Sequence, residues 1–156
     1  MRIMHIETKR LLIRDFCPED AEALHRILGD AETMKYLEEP YSLRQTEAFL
    51  SSFCIGRKGA FAACLRESGT LIGYILFKEL SQGEYELGWI MNRDYWRQGY
   101  AYEACRAVID YAFRELYANK IFAETVDTER SLALMKKLGM SFERREGELY
   151  IYSLGR

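Results

Sequence analysis

The stretch YWRQGYAYEA, residues 95–104, joins two segments of different periodicity. Upstream, EYELGWIM (84–91) alternates Tyr85, Leu87 and Trp89 against Glu84, Glu86 and Gly88, the period of two that a strand imposes. Downstream, Ala101, Ala104, Cys105, Val108 and Ala112 recur at helical spacing, with Ile109, Phe113 and Leu116 beside them. The junction is a strand, a turn and a helix, and Gly99 stands where the helix begins. A helix N-terminus offers unpaired N–H groups and a partial positive charge. Glycine there lets the backbone approach a ligand and adopt conformations closed to other residues. Arg97 adds a charge for the same anion. Two readings of the junction stand side by side: a phosphate-binding turn, or a glycine that only turns the chain.

Working outward, ETKRLLIRDF (7–16) reads as a strand, with Leu12 and Arg14 flanking Ile13. CPEDAEALHRIL (17–28) reads as a helix, opened by Pro18, Glu19 and Asp20 and carrying Ala21, Leu24, Ile27 and Leu28 at helical spacing. A second helix around LRQTEAFLSSFC (43–54) presents Leu43, Ala48, Phe49 and Phe53 on one broad face and ends at Gly56 and Gly59. AFAACLRE (60–67) and TLIGYILFKEL (70–80) form a hairpin across Ser68 and Gly69, and EYELGWIM extends it to an antiparallel meander. Beyond the long helix, KIFAETVD (120–127) is a strand and SLALMKKLGM (131–140) a helix closed by Gly139. SFERREGELYIYSL (141–154) makes two strands around Gly147.

Composition bounds what this chain can do. At 156 residues and 49% apolar, it fits one domain, 1–156, with a substantial core. A net charge of −2 gives no global case for binding nucleic acid. No apolar run approaches the roughly 20 residues of a membrane span, and MRIMHIETKRLLIR, the first 14 residues, is interrupted by charge, unlike a signal peptide. The reading is a soluble cytoplasmic protein. Cys17, Cys54, Cys64 and Cys105 lack CxxC spacing and His5 lies far from His25, so no metal site is expected. Cys105 sits on the apolar stripe of the long helix and reads as core, not as a nucleophile.

Taken in order, these segments resemble the GNAT superfamily of acetyl-coenzyme A-dependent N-acetyltransferases, in particular the branch of the RimJ and RimL ribosomal-protein acetyltransferases. The branch's ETxRLxLRxF-like strand is matched by Glu7–Phe16, its PEDAEAL helix start by Pro18–Leu24, its IGY strand by Ile72–Tyr74 and its E-L-G-W/Y strand by Glu86–Trp89. Its pyrophosphate loop, YWxxGYAxEA, is matched by Tyr95–Ala104, and its VDxxNxxSxxxxxKLGF segment by Val126–Met140. Trp96 replaces a Gln or Arg common in the wider superfamily, and Thr128 replaces the Asn of the last motif. The resemblance implies an α+β, GNAT-like fold: a central, mostly antiparallel mixed sheet of about six to seven strands, flanked by about four helices. It implies acetyl-CoA as acetyl donor, no metal, and an amine acceptor, either a protein N-terminus or a small molecule. No nucleic-acid or membrane partner is implied, and monomer and homodimer both stay open.

Acetyl transfer to an amine requires a neutral amine, stabilisation of an oxyanion and a proton for the leaving thiolate. The resemblance assigns the acyl carbonyl to main-chain N–H groups around Trp89, Ile90, Met91 and Asn92. It assigns the cofactor to Arg97, Gln98, Gly99, Tyr100, Ala101, Tyr102 and Thr128. Glu86 is the candidate base, with Glu84 behind it; the other reading of Glu86 is a solvent-facing strand carboxylate or one pairing with a neighbouring Arg. Many members use a Tyr acid where this chain has Met135, and Ser131 is the candidate in its place, with capping of helix N–H groups as its other reading. Glu32, Glu38 and Glu39 bias the 30–45 segment, expected to line the acceptor groove with 140–152, towards cationic acceptors. A non-catalytic acetyl-CoA-binding sensor or scaffold is the alternative to an enzyme.

Overall fold

Eight strands in the order β1-β2-β3-β4-β5-β6-β8-β7 form one sheet in the computed structural model, which describes residues 3–156. Met1 and Arg2, the start of the stretch read against a signal peptide, lie outside the described residues. The strands are β1 (His5–Glu7), β2 (Leu11–Asp15), β3 (Ala60–Leu65), β4 (Leu71–Ser81), β5 (Glu84–Met91), β6 (Lys120–Thr125), β7 (Ser141–Glu146) and β8 (Leu149–Gly155). The helices are α1 (Ala21–Leu28), α2 (Leu43–Phe49), α3 (Tyr100–Glu115) and α4 (Arg130–Lys137), and α2 continues as a π-helical segment, Leu50–Gly56. Every pairing is antiparallel except β5 with β6, which run parallel because α3 carries the chain across. No helix among the described residues is long and apolar enough to cross a membrane.

The expected fold class holds, with one strand more than expected. The segment read as a single strand from Glu7 is broken by a turn, in which the Thr8 N–H donates to the Leu11 carbonyl at 2.9 Å. The three residues before that turn pair with β2 as a separate strand. So short an edge strand, with no buried residue in it, leaves no periodic signal to read.

Two cores sit on opposite faces of the sheet. α1 and the segment after α2 bury Leu24, Ile27, Leu28, Leu50 and Cys54 against Ala60, Ala62, Cys64 and Tyr74. α3 and α4 bury Ala104, Cys105, Val108, Ala112, Met135 and Leu138 against Ile13, Phe61, Ala63, Ile75 and Leu87. β3 is therefore covered on both sides, which explains why AFAACL reads as a continuous apolar run instead of an alternation. Its small residues let helices approach both faces. Cys105 is fully buried, and burial pushes its thiol far above the ordinary range, as befits a core residue.

Two ion pairs fix the ends of this framework. Arg14 of β2 donates to both oxygens of Asp20 at 2.9 and 3.0 Å, while the Cys17 N–H adds a third bond at 2.9 Å, so the strand and the start of α1 share one anchor. Burial alone would raise the Asp20 carboxyl, but the bonds from Arg14 and Cys17 outweigh it and hold it below the usual carboxylate range. On the other face, Glu103 of α3 accepts from the Thr8 hydroxyl at 2.6 Å, the Arg10 N–H at 2.9 Å and the Arg10 Nε at 2.7 Å. That clamp ties the β1–β2 turn to the first turn of α3, beside Gly99.

Asp20→Ala should lower stability by about 2 kcal/mol in urea unfolding at neutral pH, since it removes a cap and leaves Arg14 unpaired. Because the folded carboxyl titrates below its unfolded value of about 3.9, this contribution is present above that pH and is lost as pH falls through the folded value. The variant and the parent should therefore converge in strongly acidic buffer; a gap of the same size at all pH values would refute the assignment.

Candidate active site

Pairing between β5 and β6 runs from Glu84–Lys120 to Glu86–Phe122 and stops, although β5 continues to Met91 and β6 to Thr125. The two parallel strands splay, and the gap opens into a cavity of about 690 Å³. Trp89, Ile90 and Met91 line it from β5, Glu124 and Thr125 from β6, and Gly99 to Tyr102 from the start of α3. Ser131 and Lys137 line it from α4, and Glu32, Thr33, Tyr36 and Leu37 from the segment after α1. That last wall is held in place by Asp30, which accepts from the Thr33 hydroxyl at 2.6 Å and from Arg93 Nη2 at 2.9 Å. The Arg93 contact links the segment after α1 to the turn that follows β5.

Main-chain geometry decides what the splayed edge of β5 offers. The Asn92 N–H donates to the Ile72 carbonyl of β4 at 2.7 Å, and Ile90 stands opposite Tyr74 in the same ladder. Strand alternation then points the N–H groups of Trp89 and Met91 the other way, towards the gap. These are donors with no partner in the strand beside them.

Gly99 adopts φ +82, the left-handed region that favours glycine, and Arg97 beside it is a non-glycine residue at φ 63. No side chain caps α3, so the N-terminus of a 16-residue helix opens on the cavity unscreened. Arg97, Arg130 and Lys137 stand around it, and none has a carboxylate partner within ion-pair distance among the described residues. Three of the nearby rings are each covered by one cation, Arg10 over Tyr100 at 4.1 Å, Arg130 over Trp96 at 4.0 Å and Lys137 over Tyr102 at 4.3 Å, while Tyr95 packs edge-on against Tyr100.

Of the residues singled out in the sequence, Trp89, Ile90, Met91, Arg97, Gly99, Tyr100, Ala101, Tyr102 and Ser131 meet at the cavity. Asn92, Gln98, Thr128 and Glu86 are not among its lining residues. Asn92 caps the following turn, accepting from the Asp94 N–H at 2.9 Å, and Gln98 is an exposed neighbour of the loop. Thr128 is exposed, and its neighbour Asp127 does the local work, accepting from the Glu129 and Arg130 N–H groups at 2.9 and 3.2 Å. Asp127 therefore takes the capping role considered for Ser131. Met135 faces the core, fully buried.

Glu86 lies one step from the cavity. It is half-buried, 3.8 Å from Lys78 of β4, on the sheet face that carries Ile90 and the α1 side of the molecule. Burial raises its carboxyl above the ordinary range, the negative charge of Glu124 raises it further, and Lys78 opposes both. Glu84 sits at the closed end of the strand pair and accepts from the Ser81 hydroxyl at 3.3 Å. Glu124 went unnoticed in the sequence. Its neighbours Ile121 and Ala123 pack on the α3 side, so alternation places Glu124 on the opposite face with Glu86, exposed in the cavity wall. Arg130 and Lys137, also missed, are seven residues apart on one face of α4, a spacing legible once the direction of that face is known. Among the described residues no group of three or more His, Cys, Asp or Glu is placed to hold a metal ion.

The site is thus a mixed sheet split between two parallel strands, with an uncapped helix N-terminus facing the split. The chain belongs to the GNAT acetyltransferase family: residues 10–141 match the model for the acetyltransferase (GNAT) domain. It is 39% identical over 148 residues, 92% of this chain and 85% of the relative, to an uncharacterized N-acetyltransferase, YnaD, of Bacillus subtilis (strain 168). A GNAT-family acetyltransferase from Bacillus anthracis superposes with a TM-score of 0.88 at 31% identity, covering 97% of this chain and 98% of the other. A spermidine N-acetyltransferase from Vibrio cholerae, solved with CoA and spermine, shares the fold with a TM-score of 0.81 at 20% identity, over 95% of this chain and 96% of that one. The protein is an acetyltransferase.

The raised carboxyl of Glu86 has a consequence for stability. Its folded value lies above its unfolded one, so the folded state binds the extra proton and stability falls as pH rises through that window. Glu86→Gln should therefore raise the urea midpoint at pH 7, and the gain should shrink towards pH 4. A loss of stability at pH 7 would show that the Lys78 pair outweighs burial.

Proposed function

We propose that this acetyltransferase carries an acetyl group from acetyl-CoA to a primary amine by direct attack, as a single domain spanning residues 1–156. The observation that carries the reading is the uncapped N-terminus of α3 at Gly99, opening on the cavity with Arg97, Arg130 and Lys137 around it. Unpartnered donors and cations together suit a pyrophosphate. The N–H groups of Trp89 and Met91 then receive the thioester carbonyl, and the amine enters from the side of Glu32, Tyr36 and Leu37. Ser131 lies in the wall as the proton donor to the leaving thiolate, and Glu86 accepts the amine proton through water, since it does not itself line the cavity.

The acceptor in this reading is a cationic small molecule in preference to a protein N-terminus, although the RimJ/RimL-like sequence pattern fits the latter. Glu32 and Glu124 stand in the cavity wall and Glu86 lies close behind; the charge of Glu124 acts on Glu86 and on Arg144 of the neighbouring edge, and no salt bridge holds Glu32 or Glu124 among the described residues. The spermidine acetyltransferase that shares the fold acts on such a cation. A cytoplasmic location belongs to the same proposal, supported by four free cysteines, three of them buried.

Calorimetric titration with acetyl-CoA and with dephospho-CoA tests the donor site. Saturable binding is expected, and Gly99→Val should weaken it at least about tenfold, since a β-branched residue at φ +82 moves the backbone donors. Unchanged affinity in that variant would mean that the glycine only turns the chain. For the acceptor, Glu124→Gln should raise KM for diamines several-fold and leave KM for uncharged-tail monoamines alone; an equal effect on both would remove Glu124 from acceptor recognition.

A further inference from the structure

Trp96 is where this chain departs from the wider superfamily's loop, and the structure gives the indole a partner. Its Nε1–H donates to the Met91 carbonyl at 2.9 Å. By strand alternation that carbonyl points away from β4, on the side where β6 would have supplied a donor had the two strands stayed paired. Trp96 thus replaces the missing strand at one atom. The turn that brings it there is itself fixed, with the Tyr95 N–H bonded to the Asn92 carbonyl at 2.9 Å and the Trp96 N–H to the Arg93 carbonyl at 3.2 Å. Its other face carries Arg130 of α4 at 4.0 Å, so one ring joins the edge of β5 to the far wall of the cavity.

A splayed strand edge exposes acceptors as well as donors, and an acyl carbonyl oxygen arriving there is repelled by one and held by the other. With its carbonyl occupied, Met91 presents only its N–H to the cavity. We infer that Trp96 is a positioning residue for acyl transfer, holding the Met91 carbonyl aside so that Met91 meets the substrate's acyl oxygen with its N–H alone. This rests on the acetyl-CoA reading of the cavity. The indole touches the peptide that orients the substrate, while the reacting atoms are left to the main chain.

Isotope-edited infrared spectroscopy of bound acetyl-CoA, labelled with 13C at the acetyl carbonyl, reads this without turnover. In the parent protein the thioester carbonyl band should fall below its position in free acetyl-CoA, as hydrogen bonding requires. In Trp96→Phe, which keeps an aromatic ring under Arg130 but loses the donor, the band should return towards the free position, with Kd for acetyl-CoA changed less than about threefold. With an accepted amine, kcat should fall about tenfold while KM for acetyl-CoA holds. Arg130→Gln, which spares the indole bond but removes a cation for the pyrophosphate, should weaken acetyl-CoA binding and leave the band of the saturated complex in place. An identical band in the parent and Trp96→Phe overturns the inference, as does a shift of equal size in Arg130→Gln. Failure of the parent to bind acetyl-CoA sinks the cofactor reading itself and this inference with it. Trp96→Met, which fills the volume without a donor, gives the same readout should the Phe variant not fold.

Discussion

The separation of two parallel strands after three shared register positions is the constraint on which the site depends. β5 and β6 are paired at Glu86–Phe122 and apart beyond it, so the molecule accepts unpaired main-chain groups in the middle of its sheet. Such groups are costly when buried without partners. The chain manages that cost locally: Trp96 takes the Met91 carbonyl, and the N–H groups left without a strand partner face a solvent-accessible cavity. The cavity is therefore a consequence of how the sheet is interrupted.

The two faces of the split have different electrostatic character. On the side of α3 and α4, an uncapped helix N-terminus is joined by Arg97, Arg130 and Lys137. On the side of α1, Glu32 and Glu124 stand in the wall and Glu86 lies behind, raised by burial and by its acidic neighbour. In the proposed reading, a polyanionic donor and a cationic acceptor are drawn to opposite ends of one passage and meet at the splay. The alternation of a strand produces this division, because Glu86 and Glu124 share a face that Leu87 and Ala123 do not.

The strand–glycine–helix junction was legible from periodicity, because β5 and α3 each bury one face and so repeat at a fixed interval, whereas β3 read as a continuous apolar run and the closing strands were marked by the turn at Gly147. The order of these motifs was enough to suggest the family. β1 escaped, since three residues with no buried position carry no period. Thr128 and Glu86 were placed at the site by analogy along the chain, whereas the geometry gives the capping to Asp127 and sets Glu86 one step back from the cavity. A sequence motif locates a segment, but which of two adjacent side chains turns inward depends on how its strand or helix is packed.

By itself the sequence determined the elements, their order, the glycine at the head of α3 and the apolar stripe behind it, because these follow from local sterics and from burial of one face. Tertiary structure alone decided where β5 and β6 part, that Glu124 faces the gap, and that Arg130 and Lys137 converge on α3 from another helix. Each of those joins residues tens of positions apart, through sheet register and helix packing. The chain must close on itself before such neighbours exist.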